Sequence, residues 1–189
     1  MNNKTSAELK KTEKKKSRPQ KKRFRILPVL LVLILLIGAS VFFYTSFTKT
    51  HYRISFYQET SQKVSDNIRI VVVSDIHNRE YGENNETLIS DIRDLKPDLI
   101  LFPGDMVIRD EDDYQPMLDL VSALTGIAPC YGVLGNHESE RIYYGDDKEL
   151  PDKFKNAGLR LLRNAMEKIQ IDGDTVQLIG VEGTSYGFE

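Results

Sequence analysis

The sequence of 189 residues has few of the side chains that bind transition metals most readily, cysteine and histidine. Its one cysteine, Cys130, excludes an internal disulfide and a cysteine-rich structural metal site, and it leaves the redox compartment open. Histidine occurs three times, at His51, His77 and His137, so imidazole chemistry is restricted to these positions. Internal repeats are absent, and the length predicts one globular domain with appendages.

Charge is distributed unevenly along the chain. Residues 1–25 hold eleven of the 26 Lys and Arg residues and two acids, Glu8 and Glu13, which leaves +9 there and −11 over the other 164 residues. A polar, Lys-rich segment of this kind is predicted to be disordered. Basic tails bind nucleic acid or anionic lipid in some proteins, but beside a long apolar run they more often set membrane orientation. We therefore interpret residues 1–25 as a cytoplasmic tail and expect no nucleic-acid partner.

Residues 26–47 contain no charged side chain. A helix of that length is about 33 Å long, which is enough to cross a hydrocarbon core of roughly 30 Å. The alternative is a cleaved signal peptide, for which Gly38-Ala39-Ser40 offers a small-residue cleavage site. The apolar run continues beyond that site through Phe43, however, and signal-peptide cores are usually about 7–15 residues long. We favour a single-pass anchor in the cell membrane, with the basic flank in the cytoplasm and the body outside.

Residues 48–67 are mostly polar and are predicted to form a stalk. Within the stalk, Tyr52, Ile54 and Phe56 occupy alternate positions, which is the period of an exposed or edge strand. His51 has no neighbour that typically binds a metal, so we interpret it as a solvated side chain beside the membrane.

From residue 68 onward, apolar runs alternate with segments of helical periodicity. Strands are predicted at 68–73, 98–102, 130–134 and 159–162, helices at 84–95, 114–124 and 150–157, and a hairpin turn at Asp172-Gly173-Asp174. The order β-α-β-α-β predicts an α/β fold with a parallel sheet and right-handed crossovers.

Side chains that bind metals directly follow three of these strands. Asp75 and His77 follow the first strand, Gly104-Asp105 follows the second, and Gly135-Asn136-His137-Glu138 follows the third. The intervals from Asp75 to Asp105 and from Asp105 to Asn136 are 30 and 31 residues, about one βαβ unit each. Any one of these residues alone is explained by a turn or a helix cap. Because open α/β sheets bind ligands at the carboxyl ends of their strands, the three together predict one site.

The residue types in the three motifs indicate a dinuclear metal centre. Asp75 and His77 are separated by one residue, so in an extended segment both would point toward one ion. Asp105 has two oxygens and is able to bridge two ions, and Asn136 offers a neutral oxygen. Such mixed oxygen and nitrogen ligands suit Mn, Fe or Zn, and two ions about 3.5–4 Å apart stabilise both oxygens of a displacement at phosphorus. His137 would protonate the leaving group or stabilise phosphoryl charge.

These motifs, Asp75-x-His77, Gly104-Asp105 and Gly135-Asn136-His137-Glu138, resemble the signature of the calcineurin-like metallophosphoesterase superfamily. Their position behind an apolar helix is similar to the bacterial membrane-associated branch. The resemblance implies a four-layer α/β/β/α sandwich that hydrolyses phosphate esters with two divalent metal ions. It also implies that Asp75 and His77 bind the first metal, Asp105 bridges both, Asn136 binds the second and His137 is catalytic. A body outside the cell would act on lipid-linked or cell-envelope phosphoesters.

The sequence departs from that superfamily in two places. Met106-Val107-Ile108 stands where Asp or Asn is common, and no histidine follows His137, although the superfamily has later histidines that complete both metal sites. We therefore expect residues 68–189 to be a C-terminally incomplete phosphoesterase domain, marginally stable and with little hydrolysis on its own. The alternative is a catalytically inactive, membrane-anchored remnant that acts as a binding module.

Overall fold

A computed structural model describes residues 26–145 and 147–182, so the predicted tail at 1–25 lies outside the described residues. The chain divides into two compact units, Met1–Thr45 and Ser46–Glu189. Helix α1, Ile26–Thr50, begins in the first unit. Its portion Ile26–Thr45 is long and apolar enough to cross a membrane, and none of that portion is buried against protein.

The second unit contains all six strands of the described residues and four helices after α1. The strands are β1 (Ile70–Val72), β2 (Leu99–Phe102), β3 (Cys130–Gly132), β4 (Arg160–Leu161), β5 (Ala165–Ile171) and β6 (Asp174–Gly180). The helices are α2 (Glu86–Leu95), preceded by a 3₁₀ turn at Glu83–Asn85, α3 (Gln115–Thr125), α4 (Asn136–Tyr144) and α5 (Leu150–Asn156).

Strands β1 to β4 form a parallel sheet in chain order. Ile70 pairs with Leu99, Ile100 pairs with Cys130, and Tyr131 pairs with Arg160, so the carboxyl ends of all four strands lie along one edge. The α/β class and the parallel pairing predicted from the sequence are confirmed. The loops that carry the three motifs therefore leave the sheet at the same edge.

A helical core covers one face of the parallel sheet. Its most deeply buried members come from α3, α5 and the central strand β2, because these elements carry apolar side chains at the spacing that faces the sheet. Val121, Leu124, Leu150, Phe154 and Ile100 have no solvent exposure. The strand β2 is buried along nearly its whole length, as expected for an inner strand of a covered parallel sheet.

An antiparallel hairpin of β5 and β6 covers the other face of the sheet. Asp172 and Gly173 at its turn both have positive φ angles, +48° and +89°, which is the conformation that an Asp-Gly hairpin turn requires. The hairpin buries Leu99, Tyr131 and Leu162 against Ile171. The unit thus contains a helical layer, the parallel sheet and the hairpin, and the predicted hairpin is confirmed.

The edge strand expected within residues 48–67 is wrong. Residues 48–50 continue helix α1, and residues 51–69 contain no strand. Side-chain contacts hold this segment: the Tyr52 hydroxyl donates to Asp91, and its ring packs edge-on against Tyr81 at 4.8 Å. Ser65 donates to Asp174 through its N–H at 2.7 Å and its hydroxyl at 2.9 Å. Of the alternating residues, Tyr52 docks through its side chain, whereas Ile54 and Phe56 are exposed, and residues 51–69 form no ladder of backbone hydrogen bonds.

Strand β1 is shorter than the predicted 68–73, and it is not covered on both faces. Ile70 is 43% exposed and Val72 is 59% exposed, whereas Val71 packs against the helical core. Since β1 is at the edge of the described sheet, the hairpin covers Leu99 and Leu101 of the neighbouring strand and leaves Ile70 and Val72 open. An apolar run predicts a strand but does not show whether the strand is central.

Cys130 provides a test of the buried sheet. Its side chain lies in β3 with 2% exposure, and burial raises the pKa of the thiol to about 12. We expect iodoacetamide to alkylate Cys130 at pH 8 only after unfolding in urea, because the native thiolate fraction is roughly a thousandfold below that of a free thiol. Mass spectrometry of quenched samples measures the modified fraction. Alkylation of the native chain at the unfolded rate would show that β3 is not buried.

Candidate metal centre

Three loops at the carboxyl edge of the parallel sheet bring the predicted metal ligands together. The loops after β1 and β2 carry Asp75 with His77 and Asp105, and the loop after β3 leads directly into helix α4, which begins with Asn136 and His137. One ligand atom from each of Asp75, His77 and Asp105 lies within 4.8 Å of the others. Residues separated by up to 30 positions in sequence therefore face a common point.

The backbone at this point differs from the extended segment that we expected. Asp75, His77 and Asp105 have φ angles of +57°, +52° and +55°, in the left-handed region that residues other than glycine seldom adopt. The side chains still converge, since Nε2 of His77 lies 3.9 Å from Oδ1 of Asp75. Turns of the backbone, rather than the alternation of a strand, bring them together. Left-handed non-glycine residues cluster at functional sites, where the surrounding structure holds them in place.

Backbone hydrogen bonds join the first loop to the second. The N–H of His77 donates to the carbonyl of Asp105 at 3.2 Å, and the N–H of Asn78 donates to the carbonyl of Met106 at 2.9 Å. The second and third loops touch through glycine: a Cβ atom on Gly104 would overlap the backbone of Gly135. The glycines of the two motifs are therefore required by close backbone approach as well as by turn geometry.

The carboxylate of Glu138 holds the second and third loops together. It is completely buried and accepts four backbone hydrogen bonds, from Asp105 (2.9 Å), Met106 (2.7 Å), Val107 (3.0 Å) and Gly135 (2.8 Å). Sequence reasoning placed Glu138 in a motif without a role and did not predict α4. The available signal was a glutamate three residues after the capping residue Gly135, a position whose side chain commonly accepts the N–H of the capping residue.

Asn136 and His137 contact Asp105 from the first turn of α4. The amide of Asn136 lies 2.9 and 3.1 Å from the two carboxylate oxygens of Asp105, and its nitrogen donates to both when it faces them. The N–H of His137 donates to Asp105 Oδ1 at 3.1 Å, and its ring lies edge-on to His77 with centroids 4.8 Å apart. A cation shared by Asp105 and Asn136 would require the amide to turn its oxygen inward.

The residues present fit a divalent metal ion. Two carboxylates, an imidazole and an amide converge at one edge, and this oxygen and nitrogen set suits Mn, Fe or Zn. The Asp75 side chain is 69% exposed, so an ion has access from solvent. The buried Glu138 is not part of this set, because both of its oxygens accept hydrogen bonds from backbone N–H groups.

The second loop continues into an acidic segment, residues 110–113, that Arg141 stabilises. This arginine is 6% exposed and donates from Nη1 to the carbonyls of Ile108 (3.2 Å), Arg109 (2.9 Å) and Glu111 (2.6 Å). Sequence reasoning missed Arg141, because its partners are carbonyl groups about thirty residues away. Arg141 therefore positions the backbone of this segment through its carbonyl groups.

Packing explains why apolar residues stand at 106–108, where the superfamily commonly has Asp or Asn. Met106 is 1% exposed and Val107 is fully buried, and both belong to the helical core. Their side chains therefore anchor the loop in the helical core, while their N–H groups donate hydrogen bonds to Glu138. At these two positions the loop that follows Asp105 has apolar anchors in place of polar side chains.

Comparison with known proteins decides the family. The model of the calcineurin-like phosphoesterase family matches residues 68–184. The chain belongs to this family. The chain is also similar to the uncharacterized metallophosphoesterase YkuE of Bacillus subtilis (strain 168), with 29% identity over 128 residues. That alignment covers 65% of this chain and 43% of the relative, so the chain spans less than half of the relative's length.

Membership of the calcineurin-like phosphoesterases agrees with the geometry of the site. Members of this family are hydrolases of phosphate esters that typically bind divalent metals, and Asp75, His77 and Asp105 form a group able to hold one. The parallel sheet and the α/β class agree with the same family. The number and identity of the metals belong to the proposal below.

Replacement of Glu138 by glutamine tests its role as the link between the loops. We expect Glu138→Gln to lower the free energy of unfolding by about 2–4 kcal/mol, since the amide group would face buried N–H donors. Urea unfolding of the full chain in detergent, followed by circular dichroism, measures this change. Glu80→Gln, an exposed residue of the first loop, is the matched control. Equal stability of the two variants would contradict the role of Glu138.

Proposed function

We propose that this protein is a membrane-anchored metallophosphoesterase that hydrolyses phosphate esters at a dinuclear metal centre. The observation that carries the proposal is the convergence of Asp75, His77 and Asp105 within 4.8 Å, at the edge where Asn136 also contacts Asp105. Family membership supplies the reaction class.

Four residues would hold the metals. Asp75 and His77 would bind the first ion, Asp105 would bridge the two ions, and Asn136 would bind the second. Bound divalent ions would supply Lewis-acid stabilisation of the oxygens around phosphorus. The chain itself contributes orientation: the Glu138 bonds and the backbone bonds from His77 and Asn78 keep the three loops at constant separation. Such preorganisation lowers the cost of assembling the site around a substrate.

His137 would act on the phosphoryl group or on the leaving oxygen. Its ring is half-buried beside His77, and Nδ1 accepts a backbone hydrogen bond from Arg109 at 3.3 Å. Because Nδ1 accepts this bond, the remaining nitrogen, Nε2, would carry the ring proton and would donate a hydrogen bond to the phosphoryl group or to the leaving oxygen. Removal of one such donor to a developing oxyanion typically costs about 10²–10³-fold in rate.

The cell membrane is the proposed location. Helix α1 is long and apolar enough to span a bilayer, and the basic residues before it favour a cytoplasmic N-terminus with the phosphoesterase domain outside. A single-pass anchor would restrict the domain to the membrane surface. Lipid-linked or cell-envelope phosphoesters are therefore the substrates that we propose.

Replacement of Asp105 tests the metal centre directly. We expect the full chain in detergent to bind Mn²⁺ in isothermal titration calorimetry, and Asp105→Asn to weaken that binding at least tenfold because the bridging charge is lost. Hydrolysis of p-nitrophenyl phosphate with Mn²⁺, which we expect to be slow in the parent chain, should fall to the rate without metal in Asp105→Asn. The control is Asp94→Asn, an exposed carboxylate on α2, which should leave both measurements unchanged.

Two outcomes would count against the proposed function. If Asp105→Asn and the parent chain bind Mn²⁺ equally, the metal is not held at the carboxyl edge of the sheet. If Mn²⁺ binds at Asp105 but neither phosphomonoesters nor phosphodiesters are hydrolysed, the chain acts as a metal-binding module without turnover.

A further inference from the structure

The imidazole of His137 is held by the protein backbone. In the described residues, the hydrogen bond that reaches its ring comes from the N–H of Arg109, which lies 3.3 Å from Nδ1. Its other ring neighbour is His77, which packs edge-on with centroids 4.8 Å apart. The donor therefore sits on one defined nitrogen of the ring, on the side of the loop that follows Asp105.

An N–H donor at Nδ1 determines the tautomer of the ring. Nδ1 must present a lone pair to accept this bond, so the proton of the neutral imidazole is on Nε2. A carboxylate at Nδ1 would have the opposite effect, because it would favour a proton on Nδ1 and leave Nε2 as an acceptor. The backbone donor thus makes Nε2 of neutral His137 a hydrogen-bond donor.

Arg141 holds the loop that carries this donor. Its Nη1 atom donates to the carbonyls of Ile108, Arg109 and Glu111, at 3.2, 2.9 and 2.6 Å. Two of these carbonyls belong to the residues on either side of the Arg109 N–H peptide unit. Because Arg141 and His137 both lie on helix α4, one helix positions the ring and also the loop that binds it.

The guanidinium of Arg141 is itself positioned by Asp147 and by the ring of Tyr114. Its Nη2 lies 3.7 Å from Asp147, and its carbon lies 4.9 Å from the centre of the Tyr114 ring. Asp147 accepts hydrogen bonds from the Tyr114 hydroxyl at 2.6 Å and from Lys153 at 3.2 Å. Burial alone would raise the pKa of Asp147, but these bonds outweigh it and hold that pKa below its usual value. Asp147 therefore stays ionised beside the guanidinium near neutral pH.

We propose that the backbone N–H of Arg109 selects the Nε2–H tautomer of His137, and that Arg141 is the positioning residue that keeps this N–H in place. This inference rests on the proposed function for the role of His137. It assigns that role more narrowly: neutral His137 donates a hydrogen bond from its Nε2–H group to an oxygen of the phosphate ester. Arg141 acts through the loop and touches neither the substrate nor the ring.

The tautomer is measurable without metal or turnover. The full chain, labelled with ¹⁵N-histidine and treated with chelator in detergent, is measured at about pH 8.5, roughly two units above the pKa of free histidine. Long-range ¹H–¹⁵N correlation then shows three ring patterns, for His51, His77 and His137, and His137→Gln identifies the third. We expect His137 to show an unprotonated Nδ1 and a protonated Nε2.

Two variants of Arg109 separate the backbone from the side chain. Arg109→Pro removes the N–H, whereas Arg109→Ala keeps it and removes the exposed guanidinium. We expect the ratio of Nε2–H to Nδ1–H forms to fall about fivefold or more in the proline variant and to be unchanged in the alanine variant. The same ratio in both variants, or an Nδ1–H ring in the parent chain, would overturn the proposal.

Two further variants test Arg141. Arg141→Met keeps the length of the side chain but removes its hydrogen-bond donors, so it should lower the ratio of Nε2–H to Nδ1–H forms as Arg109→Pro does. Arg141→Lys should restore part of that ratio. Protection of Cys130 from alkylation reports an intact fold of each variant. If Arg141→Met unfolds, the tautomer ratio of Arg141→Lys decides. A parent-like ratio in the folded methionine variant would remove Arg141 from the proposal. Because no step uses hydrolysis, an inactive chain refutes the proposed function and leaves the tautomer result standing.

Discussion

One buried carboxylate, Glu138, holds together the edge of the sheet where the candidate metal ligands lie. Four backbone N–H groups from two loops converge on it, and hydrogen bonds to a charged acceptor contribute roughly 1.5–3 kcal/mol each. Without the carboxylate, the same four N–H groups would be buried without hydrogen-bond acceptors. The loop of Asp105 and the start of helix α4 are therefore one structural unit, and the positions of Asp105, Asn136 and His137 depend on it.

The geometry of the site follows from this link and from the backbone around it. Glycines at positions 104 and 135 let the two loops touch, and left-handed residues at Asp75, His77 and Asp105 turn their side chains toward one point. Single residues in this conformation cost about 1–3 kcal/mol when they are not glycine. Buried apolar anchors and Arg141 offset that cost from outside the site. The match to the calcineurin-like phosphoesterase family covers all three motifs.

Much of the fold was predictable because its signals are local. Apolar runs ended by polar motifs predicted the parallel strands, and an Asp-Gly turn predicted the hairpin. Three features were not predictable for physical reasons. Helix α4 begins inside a motif whose residues have weak helical periodicity, and it is stabilised by Glu138 through tertiary contacts. The Tyr52 segment has strand periodicity but contacts α2 through side chains. Arg141 binds carbonyl groups, which have no signature in sequence.

The central claim is that Asp75, His77, Asp105 and Asn136 bind divalent metal at the carboxyl edge of the parallel sheet. A crystal structure of residues 46–189 soaked in Mn²⁺, with anomalous scattering recorded at the manganese edge, measures the position of the ion directly. The account predicts an anomalous peak within about 2.0–2.3 Å of oxygens of Asp105 and of Nε2 or Nδ1 of His77, with the Asn136 amide oxygen turned inward. A peak confined to residues 110–113, or no peak at Asp105, would contradict it.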